Sequence, residues 1–347
     1  MRNASASLFG LAYGDSLGKP TEFQTYAAIV AEYGTDGPRE LVGDPALVTD
    51  DTQMMLAVGE AMRAAGPLTP GSFEPVLRQA FLDWAKSPDN NRAPGMTCLR
   101  ACAELSEGKR WQEATQAGSK GCGANMRVTP LGLAPGLTED QRAGGAQLQA
   151  GLTHGHPTGL AASELTALAV RWLLDGLDPA LLLSRLRERC ASQRLVYREE
   201  WLGDLWFRTP ARSGSEFIAR GWDETDAALA RVEQALRRGD FGGDPCLATG
   251  EGWIAEEALA TALYCYLISP SDPVAVLGRG AASSGDSDSI ACLAGAFAGA
   301  ALGMDAWPAE WQERIEYADR LTALGDAWDL QGLPEFPGAG RVEWRHA

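Results

Sequence analysis

Two acidic clusters stand far apart in the chain, Thr49-Asp50-Asp51-Thr52 and Asp286-Ser287-Asp288-Ser289, and each opens a helix-like apolar run. Their carboxylates and hydroxyls, with no basic residue interleaved, are the oxygen donors that hard divalent cations accept. A fold that brought the two clusters together would build a two-metal site of the kind that activates water and grips substrate oxygens. A plainer role competes with this. Asp50, with Gln53 three positions on, has the form of a helix N-cap, and Asp286 or Asp288 can cap the run that starts near Ile290. Yet each cluster holds more acids than one cap uses, and adjacent carboxylates repel unless something positive lies between them.

Other segments carry chemistry-bearing residues. Gly118-Ser119-Lys120-Gly121-Cys122-Gly123 places glycine beside polar residues, a composition that can turn backbone amides toward a phosphate or simply form a flexible loop. It lacks a GK[ST] ending, and no GxGxxG follows a strand, so it is neither a Walker A loop nor a dinucleotide fingerprint. Arg127, just beyond, either binds phosphate or holds this loop through an ion pair or carbonyl bonds. In Thr153-His154-Gly155-His156-Pro157 the two histidines lack a third soft ligand, so capping or core packing is their ordinary role. Asn91-Arg92-Ala93-Pro94-Gly95-Met96-Thr97 reads as the loop that starts the helix bearing Cys98. Glu22, just after Pro20, reads as an acid between helices.

The elements that must position these residues are helical. Met54, Met55, Val58 and Met62 follow the i, i+3, i+4 rule, as do Val76, Leu77, Ala80, Phe81 and Trp84. So do Leu165, Leu168, Ala169, Trp172 and Leu173, and Leu259, Leu263, Tyr264 and Leu267. Alternating β-branched runs are nearly absent, which predicts an all-α protein of many short helices. The polar, aromatic stretch from Trp201 to Gly221 reads as a loop or short helices. Gly10, Gly14 and Gly18 recur every four residues, as do Gly295, Gly299 and Gly303. On helices these are smooth stripes that admit a neighbouring backbone, either each other's or that of a common partner; the alternative is two unrelated small-residue helices.

Composition bounds the rest. A chain of 347 residues with 45% hydrophobic content can bury a large core, and no linker marks a boundary. The net charge of -16 excludes a general nucleic-acid or membrane-surface binder. It also means that an anionic substrate needs a local positive feature: a bound cation, a helix N-terminus or oriented amides. Seven cysteines without a CxxC pair, and three histidines with His346 near the C-terminus, make a structural zinc site a poor expectation and point to reduced, buried thiols. Residues 1–18 lack a signal-peptide pattern, and Ile290–Gly303 is too short to span a bilayer. The expectation is a soluble, cytoplasmic protein.

Gly14-Asp15-Ser16-Leu17-Gly18, Glu22-Phe23 and Thr49-Asp50-Asp51-Thr52-Gln53-Met54 resemble the opening of the ADP-ribosylglycohydrolase family. Gly252-Trp253-Ile254-Ala255-Glu256-Glu257-Ala258 and Gly285-Asp286-Ser287-Asp288-Ser289-Ile290-Ala291 resemble its closing motifs, and Gly121–Val128 its central Gly-rich loop. These motifs stand in the family's order over residues 8 to 303. The resemblance implies one compact, orthogonal multi-helical domain over 1–347, with a binuclear metal site in a central cleft. It implies two Mg²⁺ (Mn²⁺ in some members) and hydrolysis of the bond joining ADP-ribose to a protein or small acceptor. Its metal ligands fall on Thr49, Asp50, Asp51, Asp286, Asp288 and Ser289, the last a threonine in most relatives. Ser284 stands where glycine is common. Substrate contacts fall on Gly95, Met96, Gly118, Ser119, Gly121, Cys122, Gly123, Met126 and His154, with Thr97 beside them. Many relatives have Asn in place of Cys122. Glu22 and Asp286 take the catalytic roles. The rival expectations are a metal hydrolase acting on phosphoester or pyrophosphate bonds, and a non-catalytic ADP-ribose-binding protein on the same fold.

Overall fold

The computed structural model describes residues 2–331; His346 lies outside them. Among these residues there are helices and isolated bridges but no sheet. The helices of eight or more residues run α1 (Asn3–Gly18), α2 (Tyr26–Tyr33), α3 (Asp50–Ala65), α4 (Pro70–Lys86), α5 (Met96–Ser106), α6 (Glu139–Gly151) and α7 (Pro157–Leu174). They continue α8 (Pro179–Gln193), α9 (Gly214–Arg238), α10 (Ala255–Ile268), α11 (Pro273–Ala281), α12 (Ser287–Leu302) and α13 (Ala318–Gln331). The four helices expected from periodicity are α3, α4, α7 and α10. The Trp201–Gly221 stretch holds two short turns, Glu199–Leu202 and Leu205–Arg208, and then enters α9 at Gly214. Its capacity for helix is masked by Gly203, Pro210 and Gly214, whereas Ser213 supplies the cap by accepting from Glu216 N at 3.1 Å.

The two ends of the chain meet in the middle of the molecule. α1 and α12 are buried on nearly every side, as helices apolar all round must be. Their glycine stripes face one another. A Cβ on Gly10 would stand 2.4 Å from Gly295 O, one on Gly14 2.1 Å from Ala291 O, and one on Gly18 2.3 Å from Asp288 Cα. From the other side, a Cβ on Gly299 would stand 2.1 Å from Ala6 O. The stripes therefore pack on each other, backbone against backbone. Gly303 is the exception: it sits past the end of α12 at φ 81, where it stops the helix. Asp329 of α13 completes the arrangement by accepting from Ala4 N (2.8 Å) and Ser5 N (3.1 Å), donors that the first turn of α1 leaves open.

No helix among the described residues is long and apolar enough to cross a membrane. All seven cysteines are free and buried.

Candidate active site

The C-terminal end of α1 sets the start of α3. Asp15 is wholly buried and accepts from Thr49 N (2.9 Å), Thr52 N (3.0 Å) and Thr52 Oγ1 (2.5 Å). A carboxylate from another helix thus satisfies the first amides of α3, where the helix dipole favours negative charge. The residue capping α3 from within is Thr49, whose hydroxyl accepts from Asp51 N at 3.3 Å. This corrects the expected Asp50–Gln53 cap. Gln53 instead accepts from Trp84 Nε1 and donates to Asp89 O, both at 3.2 Å, and Asp50 accepts from Gly95 N at 3.3 Å. Capping thus leaves Asp50 and Asp51 over for another purpose. Asp51 Oδ1 is buried without any partner.

The second cluster arrives with α12. Asp286 occupies the N-cap position, but its side chain makes no capping bond, and Ser289 N donates to Asp288 Oδ1 at 3.0 Å. Asp286 is thus not the expected cap, whereas Asp288 takes one first-turn amide of α12. The turn is pinned to α1 through Ser287 Oγ, which donates to Gly18 O (3.1 Å) and accepts from Thr21 Oγ1 (3.0 Å). That pin also places Glu22, on the turn after α1, over the cluster. One oxygen each from Glu22, Asp286 and Asp288 lie within 4.8 Å of one another.

The electrostatics carry the signature of like charges forced together. Asp15 and Asp50 are pushed up to about 7 and Glu22 to about 9, while Asp51 and Asp286 are raised well above the carboxylate range. In all five the first cause is burial and the second is the charge of Asp288, which is itself raised by burial. An all-oxygen donor set with mutual repulsion and an orphaned buried carboxylate oxygen fits a hard divalent cation, which would reverse the sign of every one of these interactions.

The Gly-rich loop lies beside the acids. Cys122 N donates to Trp253 O (3.0 Å), Ser119 N to Gln116 O (2.9 Å), and Thr97 and Ser119 share a hydroxyl hydrogen bond of 3.1 Å. Gly121 and Gly123 have no side chain because His154 fills that space: a Cβ would stand 3.2 Å from its Nε2 at Gly121 and 2.9 Å from its Cε1 at Gly123. His154 is held by Thr153 Oγ1 at 2.8 Å from Nδ1, and Arg127 donates to the same hydroxyl at 2.7 Å. Burial and then Arg127 keep His154 neutral, well below its ordinary pKa. Arg127 is fully buried and bonds Gln149 O at 2.7 Å rather than phosphate, so it braces the loop from below. Lys120 is committed to Glu224 and Glu256. His156 caps α7 by accepting from Thr158 N.

The sequence-predicted contacts thus separate into two groups. Gly95, Met96 and Gly118 are exposed, with Ser119, Gly121 and Gly123 half-buried at the surface of the loop, whereas Cys122, Met126 and His154 are buried beneath it. The Cys122 thiol is buried, and burial and then the charges of Asp286 and Asp51 push it up. A cavity of about 430 Å³ adjoins Gly118 and is lined by Arg208, Pro210 and Phe217, so part of the 201–222 stretch borders the loop. Sequence reasoning missed Asp15 as a member of the acidic group. Its signal was present as the sole charged residue of an otherwise uncharged helix.

The ADP-ribosylglycohydrolase family matches residues 1–337. ADP-ribosyl-[dinitrogen reductase] glycohydrolase of Rhodospirillum rubrum is 25% identical over 319 residues, covering 90% of each chain. ADP-ribosylhydrolase ARH3 of Homo sapiens is 29% identical over 300 residues, covering 80% of this chain and 77% of the relative. A solved structure described as an ADP-ribosylglycohydrolase-related protein complex superposes with a TM-score of 0.67 at 23% identity, over 95% of this chain and 98% of that one. Family match, shared fold and an acidic cleft assembled from both ends of the chain agree: the protein is a glycohydrolase belonging to the ADP-ribosylglycohydrolase family.

Proposed function

We propose that the protein hydrolyses the glycosidic bond between ADP-ribose and a protein side chain or small acceptor, releasing ADP-ribose, with divalent cations bound among its buried acids. The carrying observation is the convergence of Asp15, Glu22, Asp50, Asp51, Asp286 and Asp288 from α1, α3, α12 and the turn after α1, all raised together and without a counter-charge among their leading causes. Thr49, Asp50, Asp51, Asp286, Asp288 and Ser289 would hold two Mg²⁺, or Mn²⁺. When bound, these supply positive charge for the sugar hydroxyls and for a water at neutral pH.

The chain's own groups supply the remaining steps. Exposed Gly95 and Met96 border the end that takes the distal ribose, and the Gly118–Gly123 loop offers amides to the pyrophosphate. Local attraction of this kind resolves the conflict between an anionic substrate and a protein of net charge -16. Asp286 orients a water on the anomeric carbon and takes its proton as the new C–O bond forms. The bond to the acceptor breaks through an oxocarbenium-like state, and Glu22, at the mouth of the cluster, returns a proton to the leaving group. We assign residues 2–331 to one domain, supported by a buried core that runs from Ala4 to Trp328. We also assign the protein to the cytoplasm, where seven free thiols persist.

The test is a panel of defined ADP-ribosylated substrates with Mg²⁺, each with and without chelator. The expected product is free ADP-ribose, lost on chelation and restored by Mg²⁺ or Mn²⁺. Asp50→Ala or Asp286→Ala should lower turnover by at least about a hundredfold. AMP or phosphate as product would point to a phosphorus-centred hydrolase, and binding without release to a non-catalytic protein; either result overturns the proposal.

A further inference from the structure

We infer that Phe23 and Trp253 are positioning residues that hold Glu22 in the carboxylate cluster and tie it to the Gly-rich loop. Their rings stack across the mouth of the site, with centroids 5.5 Å apart and planes 16° from parallel. Both are accessible, Phe23 at 70% and Trp253 at 38%, so the stack contributes little to the core. Phe23 also holds a backbone conformation that costs energy: its φ is 65, the left-handed region that residues other than glycine, asparagine and aspartate seldom adopt. A bulky aromatic kept in that conformation and left in water serves no folding purpose visible in its packing. Strain of this kind gathers where geometry at a site demands it.

Trp253 is the other half of the brace because its segment touches each part of the site. Glu251 O accepts from Asp286 N at 2.8 Å. Gly252, at φ 85, lies so close to Asp286 that a Cβ would stand 3.2 Å from that residue's own. Trp253 O accepts from Cys122 N of the Gly-rich loop at 3.0 Å. The ring of Trp253 then covers Phe23, whose neighbour Glu22 shares the 4.8 Å triangle with Asp286 and Asp288. One short segment therefore fixes the Asp286 turn and the Gly-rich loop through its backbone, and the Glu22 turn through its side chain. Movement of the loop on accepting a ligand would pass through Trp253 to Glu22.

The inference rests on the functional reading above for the cation, so its test reads metal binding and turnover separately. Mn²⁺ affinity is measured by calorimetry for the wild type, Phe23→Gly, Trp253→Leu, Trp253→Phe, Glu22→Gln and the Trp253→Leu/Glu22→Gln double variant. Glycine relieves the strain at position 23, so Phe23→Gly should melt at or above the wild-type temperature while losing the stack. Glu22 lends an oxygen to the group formed with Asp286 and Asp288, so Phe23→Gly and Trp253→Leu should each weaken Mn²⁺ binding by about two- to tenfold, the worth of an aromatic pair. Trp253→Phe should restore it. In the Glu22→Gln background Trp253→Leu should cause no further loss. Unchanged affinity, or an equal loss with and without Glu22, would overturn the brace. Wild-type protein that binds Mn²⁺ but frees no ADP-ribose would refute the functional reading while leaving the brace to be decided by the coupling.

Discussion

Asp288 is the one acid whose charge raises all five of its neighbours, which makes Asp288→Asn a test of the whole electrostatic reading. Asp286 and Asp288 are both buried, with oxygens within 4.8 Å. Two unit charges at that separation and an effective dielectric constant of about 20 repel by roughly 3.5 kcal/mol. Asparagine keeps the oxygen that accepts from Ser289 N and offers an N–H to Asp286. In metal-free protein the variant should therefore be more stable than the wild type. The sign with pH follows from the direction of the shifts. These carboxyls titrate higher in the native state than in the unfolded chain, so their contribution is complete in acid and is lost as pH rises, through about 7 for Asp15 and Asp50 and about 9 for Glu22. His154 and His156 are lowered and act in the opposite sense, but their contribution is complete above their ordinary 6.5. Urea denaturation in EDTA should then show Asp288→Asn stabilising, by at most about 3 kcal/mol, and more near pH 8.5 than near pH 6.5. Mg²⁺ should raise the melting temperature of the wild type and leave that of the variant nearly unmoved. A variant less stable than the wild type at the higher pH, in EDTA, would refute the claim that uncompensated charge dominates this cleft.

Three further outcomes follow. Asp15→Asn replaces an acceptor of three hydrogen bonds by a group with one acceptor and an N–H facing other donors. It should cost about 2 kcal/mol by urea denaturation and lower turnover at least tenfold without altering any group that touches substrate. Gly14→Ala places a methyl 2.1 Å from Ala291 O, where both partners are backbone. It should destabilise by roughly 3 kcal/mol, or about 4 °C by calorimetry, and weaken Mn²⁺ binding because α12 carries Asp288. Glu316 accepts from Val48 N (3.1 Å) and from Arg92 in a half-buried pair, directly before Thr49. Glu316→Ala should lower both thermal stability and Mn²⁺ affinity, whereas loss of stability alone would show that the pair does not position the cluster.

The helices and the two acidic clusters were legible because each rests on a local rule: periodicity for α3, α4, α7 and α10, and acid density for Asp50–Asp51 and Asp286–Asp288. The meeting of α1 and α12 was one of several readings the stripes allowed, since four-residue spacing puts small residues on one face but does not name the partner backbone. The rest depends on who neighbours whom. Asp50 and Gln53 have the sequence of a cap, but Asp15 from another helix already serves those amides, so cap chemistry was read at the wrong residue. Lys120 stands in a Gly-rich loop as if for phosphate, yet Glu224 and Glu256, more than a hundred positions away, neutralise it. Cys122 is likewise buried beneath the loop, next to the acids, which nothing in its local sequence announces.

These dependencies place the glycine stripe within the chemistry. Asp15 and Glu22 ride at the end of α1, and Asp286 and Asp288 at the start of α12. Gly18 presses against Asp288 Cα, with its Cβ position 2.3 Å away. Any side chain there would separate the two ends of the site by the width of a methyl group. The acids that repel one another are thus held by direct backbone-to-backbone packing of α1 on α12. If the site takes a cation as proposed, it must stay assembled beforehand, because the unfavourable charge interactions among its acids act to open it. Loosening α1 against α12 should therefore relieve the repulsion and lose the cation together. In Gly14→Ala, the pH dependence of stability between about pH 6.5 and 8.5 should flatten relative to the wild type. A variant with the full wild-type pH dependence but lowered overall stability would show that the stripe and the acids act independently.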